Sequence, residues 1–193
     1  MIAVEPLSDD EIAGAVRNWV ETFVIDMNLC PFARPELAKE RVRFTVTGAI
    51  TEAQLLAALQ TELELLANHP LVETTLLIHA RLLQNFPDYN QFLDLAEHLL
   101  RQMNLEGVYQ IASFHPDYQF DGTDAEDAEN YTNRSPYPLL HIIREASLER
   151  AIASFAHVDQ IPLRNIAHMN KLGQPRLAGL MQACFTATGN TKP

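Results

Sequence analysis

The feature that most constrains this chain is a rhythm of short strand-like runs separated by helix-length amphipathic stretches. Arg41-Val42-Arg43-Phe44-Thr45-Val46-Thr47 alternates polar and apolar residues and reads as a half-buried strand. Glu73 to Ala80 is short, β-branched and apolar, which fits a strand covered on both faces. Val108 to Phe114 and Leu139 to Arg144 repeat the signal. Between the first two strands, Thr51-Glu52-Ala53-Gln54 is a capping box, and Leu55, Leu56, Leu59, Leu63 and Leu66 form the stripe behind it. Asp88, with Gln91 three residues on, is expected to cap a third helix carrying Phe92, Leu95, Leu99 and Met103. Alternating strands and helices give parallel strands joined by crossovers. The strand near 139 follows a stretch without a helix and is therefore expected to run antiparallel. The predicted fold is α/β: a small mixed sheet of about four strands with βαβ crossovers, flanked by N- and C-terminal helices.

The flanks are legible in the same way. Ser8-Asp9-Asp10-Glu11 is a capping box, and Ile12, Val16, Trp19, Phe23 and Met27 carry a helix over 9–27. Pro31 pushes Cys30 out of the α region, and Pro35 is expected to keep the following segment irregular. Residues 116–137 have neither period and hold five acids in the nine positions from Asp121 to Glu129. A stretch of that length in a compact domain is functional or disordered. Ser147 is expected to cap a helix reaching about Ala156, Pro162 to open the next, Gly173 to end it, and Arg176 to Phe185 to form the last. The chain is 193 residues, near the size of one domain. We expect one domain over 1–185 and a flexible tail over 186–193.

Charge narrows the function classes. Lys plus Arg is 14 against 25 for Asp plus Glu, a net −11. Nucleic-acid and anionic-membrane surfaces need clustered cations, so neither partner is expected. No apolar run reaches the length of a membrane span, and Met-Ile-Ala-Val-Glu-Pro lacks a basic region followed by an apolar stretch. A cytoplasmic location follows, with Cys30 and Cys184 as free thiols.

Two segments stand out: Asn28-Leu29-Cys30-Pro31-Phe32-Ala33, and Asn130-Tyr131-Thr132-Asn133-Arg134-Ser135-Pro136-Tyr137-Pro138. With Phe114-His115-Pro116 between them, the chain resembles a bacterial domain-of-unknown-function family of about this length, from the first helix to Pro162. That resemblance implies a small bacterial protein and assigns no activity, cofactor or catalytic residue. Cys30-Pro31-Phe32-Ala33 is also similar to the active-site turn of some glutathione transferases and glutaredoxins. There the cysteine follows a strand and opens a helix. Here it follows a helix, with Pro35 close behind.

In open α/β sheets ligands bind beyond the carboxyl ends of the strands. His79 and His115 both fall at such ends, and an antiparallel last strand returns Asn133, Arg134 and Ser135 to the same edge. These residues suggest an enzyme acting on an anionic small molecule. His115, oriented by Asp117, is the candidate acid/base, with His79 beside it. Arg134 is the candidate anion anchor, flanked by Asn130, Asn133 and Ser135, and Arg34 is a weaker candidate of the same kind. A structural Arg134 paired with a loop acid such as Asp127 is the plainer alternative. A non-catalytic metabolite-binding or protein-interaction module is a second reading, and a thiol-dependent activity at Cys30 a third. No metal ligand or cofactor is assigned: His79, His115, Asp117 and His141 have suitable chemistry but no ligand spacing.

Overall fold

The structure is a computed structural model that describes residues 7–153 and 158–186. Helix α1 (Asp9–Trp19) starts on the Ser8 capping box, with both reciprocal hydrogen bonds present. Its winding then widens into a π-helical segment, Val20–Ile25. The bonds from Asp26 N–H to Glu21 O and from Leu29 N–H to Val24 O span five residues. The short helix α2 (Ala33–Ala38) corrects the irregular segment expected after Pro31. Pro35 sits in its first turn, where a missing N–H costs nothing.

The order β1 (Val42–Val46), α3 (Glu52–Asn68), β2 (Thr74–Ile78), α4 (Phe86–Gln102), β3 (Tyr109–Phe114), β4 (Leu139–Arg144) follows the predicted α/β pattern. Thr51 accepts from Gln54 N–H, but Gln54 reaches back to Ile50 N–H instead of to Thr51, so the second capping box is only half formed. Helix α4 is capped by Asn85, not by Asp88; Asp88 supplies the N–H that Asn85 accepts. Ser147 caps nothing, because α5 (Glu145–Ala153) runs straight out of β4, and the expected extension to Ala156 lies outside the described residues. Helix α6 (Ile161–Leu172) carries Pro162 in its first turn and ends at Gly173, where φ is +79°. Helix α7 (Gln174–Thr186) includes Thr186, which the sequence reading placed in the tail.

The sheet runs β1-β2-β4-β3. Strands β1 and β2 are parallel, and β4 is antiparallel to both β2 and β3. Hence β1, β2 and β3 point the same way, with β4 wedged between the last two. The two faces bury separate cores. Leu76, Ile78 and Leu139 face Trp19, Phe23, Met169 and Leu177. Leu77, Leu140 and Ile142 face Leu59, Leu63, Tyr89 and Phe92. Period-two alternation sorts each strand between these layers. Glu62, buried under α3, takes both Arg43 Nε (2.8 Å) and Nη2 (3.1 Å), pinning that helix to β1.

Register fixes the edge that matters. Leu139 lies opposite both Ile78 and Phe114, so the chain leaves β2 and β3 and enters β4 at one level. Tyr89 of α4 closes that edge: its hydroxyl donates to Leu139 O (2.8 Å) and accepts from Phe114 N–H (3.0 Å). Tyr89→Phe keeps the ring but strands both backbone groups. We expect it to cost roughly 1–3 kcal/mol in chemical denaturation; a cost below about 0.5 kcal/mol would show that the edge closes without the hydroxyl.

Candidate functional site

His79 and His115 follow β2 and β3 directly and both pack against Tyr89: His79 stacks on its ring with centroids 5.7 Å apart, and His115 lies tilted to it at 5.1 Å. Both are buried. The His115 Nε2–H donates to Leu83 O (3.1 Å) and Nδ1 accepts the Asp117 N–H (3.0 Å). That pair of partners sets the tautomer and occupies both ring nitrogens. The orienting group is thus the Asp117 backbone, where the sequence reading expected its carboxylate. His79 donates from Nδ1 to Leu82 O (3.0 Å). Together the rings grip consecutive carbonyls of a loop in which Leu83 holds φ +55°, a conformation that an isolated leucine avoids.

The 116–137 stretch is built, not loose. The buried Asn130 amide clamps it: Oδ1 accepts from Phe120 N–H (3.0 Å) and Thr123 Oγ1 (2.9 Å), and Nδ2 donates to Asp124 O (2.8 Å). A 3-10 turn, Ala128–Thr132, follows. Asn133 then lies along the end of β3, donating from Nδ2 to Ser113 O (3.1 Å) and accepting the His115 N–H on its carbonyl (3.2 Å). The Ser135 hydroxyl donates to Tyr137 O (2.7 Å). Arg134 donates from Nε to Tyr118 O (3.2 Å) and from Nη2 to Ala125 O (2.7 Å), and its guanidinium lies 4.7 Å over the Tyr131 ring. It braces the loop through carbonyls, not through Asp127. Arg34 does not line the cleft described below; it reaches Ile25 O (3.4 Å) and sits in an exposed pair with Asp26.

A cleft of about 510 Å³ opens beside this loop. Leu29 and Cys30 line it from the first motif, Phe114 from the second, and Thr132 and Asn133 from the third. Val24 of the π-helical segment completes one wall, Phe120, Asp121, Thr123 and Glu129 another, and Ile161, Pro162, Asn165 and Ile166 of α6 a third. The Asn165 Nδ2 donates to Leu29 O (2.8 Å), tying α6 to the cysteine turn. Burial pushes the Cys30 thiol above its ordinary value, while the N–H groups of Phe32 and Ala33 act in the opposite direction. Cys30 and Cys184 are both free. Of the candidate residues, Cys30 and Asn133 reach the cleft; His79, His115, Asn130, Arg134 and Ser135 form the frame behind it. The sequence predicts helices over both α6 and the π-helical segment but not their packing at the cleft, which long-range contacts decide.

A second cleft, about 420 Å³, lies between Glu52, Leu83, Asp88 and Gln91 and touches none of the three motifs. Among the described residues no group of three His, Cys, Asp or Glu side chains could hold a metal ion, and no helix is long and apolar enough to cross a membrane.

Fold and site together define a mixed α/β protein with a motif-lined cleft at the carboxyl edge of its sheet. The chain belongs to the family described as protein of unknown function DUF1415, whose model matches residues 11–178. No curated protein and no solved structure matches it.

The buried rings give a pH dependence. Burial lowers His79 to about 4, with the neighbouring His115 adding to the fall, and lowers His141 to about 4. The His141 Nε2–H donates to Thr74 Oγ1 (2.7 Å), whose own hydrogen goes to Ile142 O. The folded state holds these groups neutral while the unfolded chain protonates near 6.5, so their stabilisation is complete above that pH. It is lost as pH falls from about 6.5 toward 4, with up to about 1.4 kcal/mol per pH unit from each ring. His79→Asn and His141→Gln keep a donor and remove the titration. Each should flatten the fall in unfolding free energy between pH 6.5 and 4.5, and an unchanged slope would contradict this assignment.

Proposed function

We propose that this chain is a small-molecule-binding protein and that the motif-lined cleft is its site. The observation that carries the reading is convergence: three segments separated by about eighty and fifteen residues meet on one concavity, at the sheet edge where α/β proteins bind ligands. Its walls are mostly apolar, with polar side chains set among them, a balance suited to holding an organic molecule. An acid/base role for His115 and an anion-anchor role for Arg134 draw less support. Both ring nitrogens of His115 already hold backbone, and Arg134 is committed to two carbonyls and an aromatic face. A thiolate at Cys30 is likewise disfavoured by burial. The cytoplasmic placement rests on the sequence reading.

A library of neutral aromatic fragments followed by amide chemical-shift changes tests the proposal. Hits should perturb Cys30, Asn133, Asn165 and Ile166 together, and Ile166→Trp, which fills the cleft, should abolish them while leaving the thermal transition intact. Shifts scattered over the surface, or unaffected by Ile166→Trp, would refute the cleft as the site.

A further inference from the structure

We propose that the ligand of this cleft is an organic cation, an ammonium group carried on an apolar body. The inference rests on the cleft being a binding site and concerns the charge of what it takes. The described lining residues include two carboxylates, Asp121 and Glu129, and no lysine, arginine or histidine. Asp121 is exposed and has no partner among the described residues; Glu129 receives only a long contact from Asn170 Nδ2 (3.5 Å).

The neutral polar groups lean the same way. The Thr132 hydroxyl hydrogen goes to Glu129 O (2.8 Å), and that of Thr123 to Phe120 O (2.8 Å) and Asn130 Oδ1 (2.9 Å). Each hydroxyl is left with lone pairs to offer a ligand. Asn133 and Asn165 turn their amide nitrogens onto the backbone, at Ser113 O and Leu29 O. The Asn133 Oδ1 has no partner among the described residues. Each of these amides spends one N–H on the backbone while the Asn133 Oδ1 stays open, and a ligand that supplies hydrogens on a positive charge matches that oxygen, the hydroxyl lone pairs and the two carboxylates.

The positive groups nearby are withdrawn. Arg134 is spread over Tyr118 O, Ala125 O and the Tyr131 ring, and Arg164 over Asn28 O (2.6 Å) and Asn165 Oδ1 (3.3 Å). Neither lines the cleft. The net −11 adds a long-range field that draws cations and repels anions. This is the opposite sign from the anionic ligand that Arg134 suggests in the sequence. Phe114, Phe120, Leu29, Ile161 and Ile166 supply the apolar contact for the rest of the molecule.

Three probes of one shape separate the possibilities: 2-phenylethylamine, 2-phenylethanol and 3-phenylpropanoate, titrated into the full chain at pH 7 by chemical-shift mapping. The amine should bind in the cleft at least about fivefold more tightly than the alcohol, the margin of a charge-assisted over a neutral hydrogen bond. The carboxylate should bind more weakly than either. Asp121→Asn with Glu129→Gln should bring the amine down to the alcohol; if the pair perturbs folding, the exposed Asp121→Asn alone should narrow the gap. Equal binding of amine and alcohol at the lining residues, or a preference for the carboxylate, would overturn the cationic class and leave the cleft standing. Neutral fragments that bind there while the amine does not would overturn it as well. Failure of every probe and every fragment at the lining residues would remove both proposals.

Discussion

One hydroxyl group holds the working edge of this protein together. Tyr89 Oη joins α4 to the end of β3 and the start of β4, the two points between which the 116–137 loop leaves and returns. Its ring packs against both His79 and His115, and those histidines in turn hold the carbonyls of Leu82 and Leu83. An unsatisfied backbone group in this dry layer would cost as much as several surface contacts contribute. The antiparallel insertion of β4 between β2 and β3 is what makes the arrangement necessary. It brings three chain ends to one level and leaves their polar groups to be paired by side chains.

The loop solves the same problem by its own means. Asn130 closes ten residues on itself through a single amide, Asn133 continues the pairing of β3, and Arg134 ties together the carbonyls of Tyr118 and Ala125. Buried polar networks of this kind are costly when incomplete and rigid when satisfied. The consequence for chemistry is a division of labour. His79, His115 and Arg134 support the frame, and Cys30, Asn133 and two carboxylates line the cleft. Rigidity in the frame places Phe114, Asn133 and Cys30 around one opening without depending on a ligand to order them.

Much of this was legible in the sequence. Apolar alternation and capping residues identified the four strands and the helices between them, because burial on one or two faces leaves a period that local residues carry. The direction of β4 followed from the lack of a helix in the preceding connection. The position of β4 between β2 and β3 was not legible, since pairing partners are chosen by tertiary packing and no local residue records them. Pro35 misled for a specific reason: proline excludes a helix interior but fits a first turn, and the two cases look alike in sequence. Asn85 was passed over as a cap because Asp88 offered the same chemistry three residues later. For the site, residue types overstated chemistry. A histidine, an arginine and an asparagine in one motif look like a catalytic set until their partners are known, and here those partners are backbone groups. The wall contributed by α6 depends on packing at long range, which the sequence does not display.

Asn130, Asn133 and Arg134 brace the 116–137 segment into the fold. Amide hydrogen exchange tests it most directly. Exchange should be slow at Phe114, His115, Asp117 and Phe120, whose N–H groups are held by Tyr89 Oη, Asn133 O, His115 Nδ1 and Asn130 Oδ1. Protection should approach that of the β2 and β4 core and fall together at Phe120 when Asn130 is replaced by Ala. Exchange across 116–137 as fast as in an unstructured peptide, with the sheet core still protected, would contradict it.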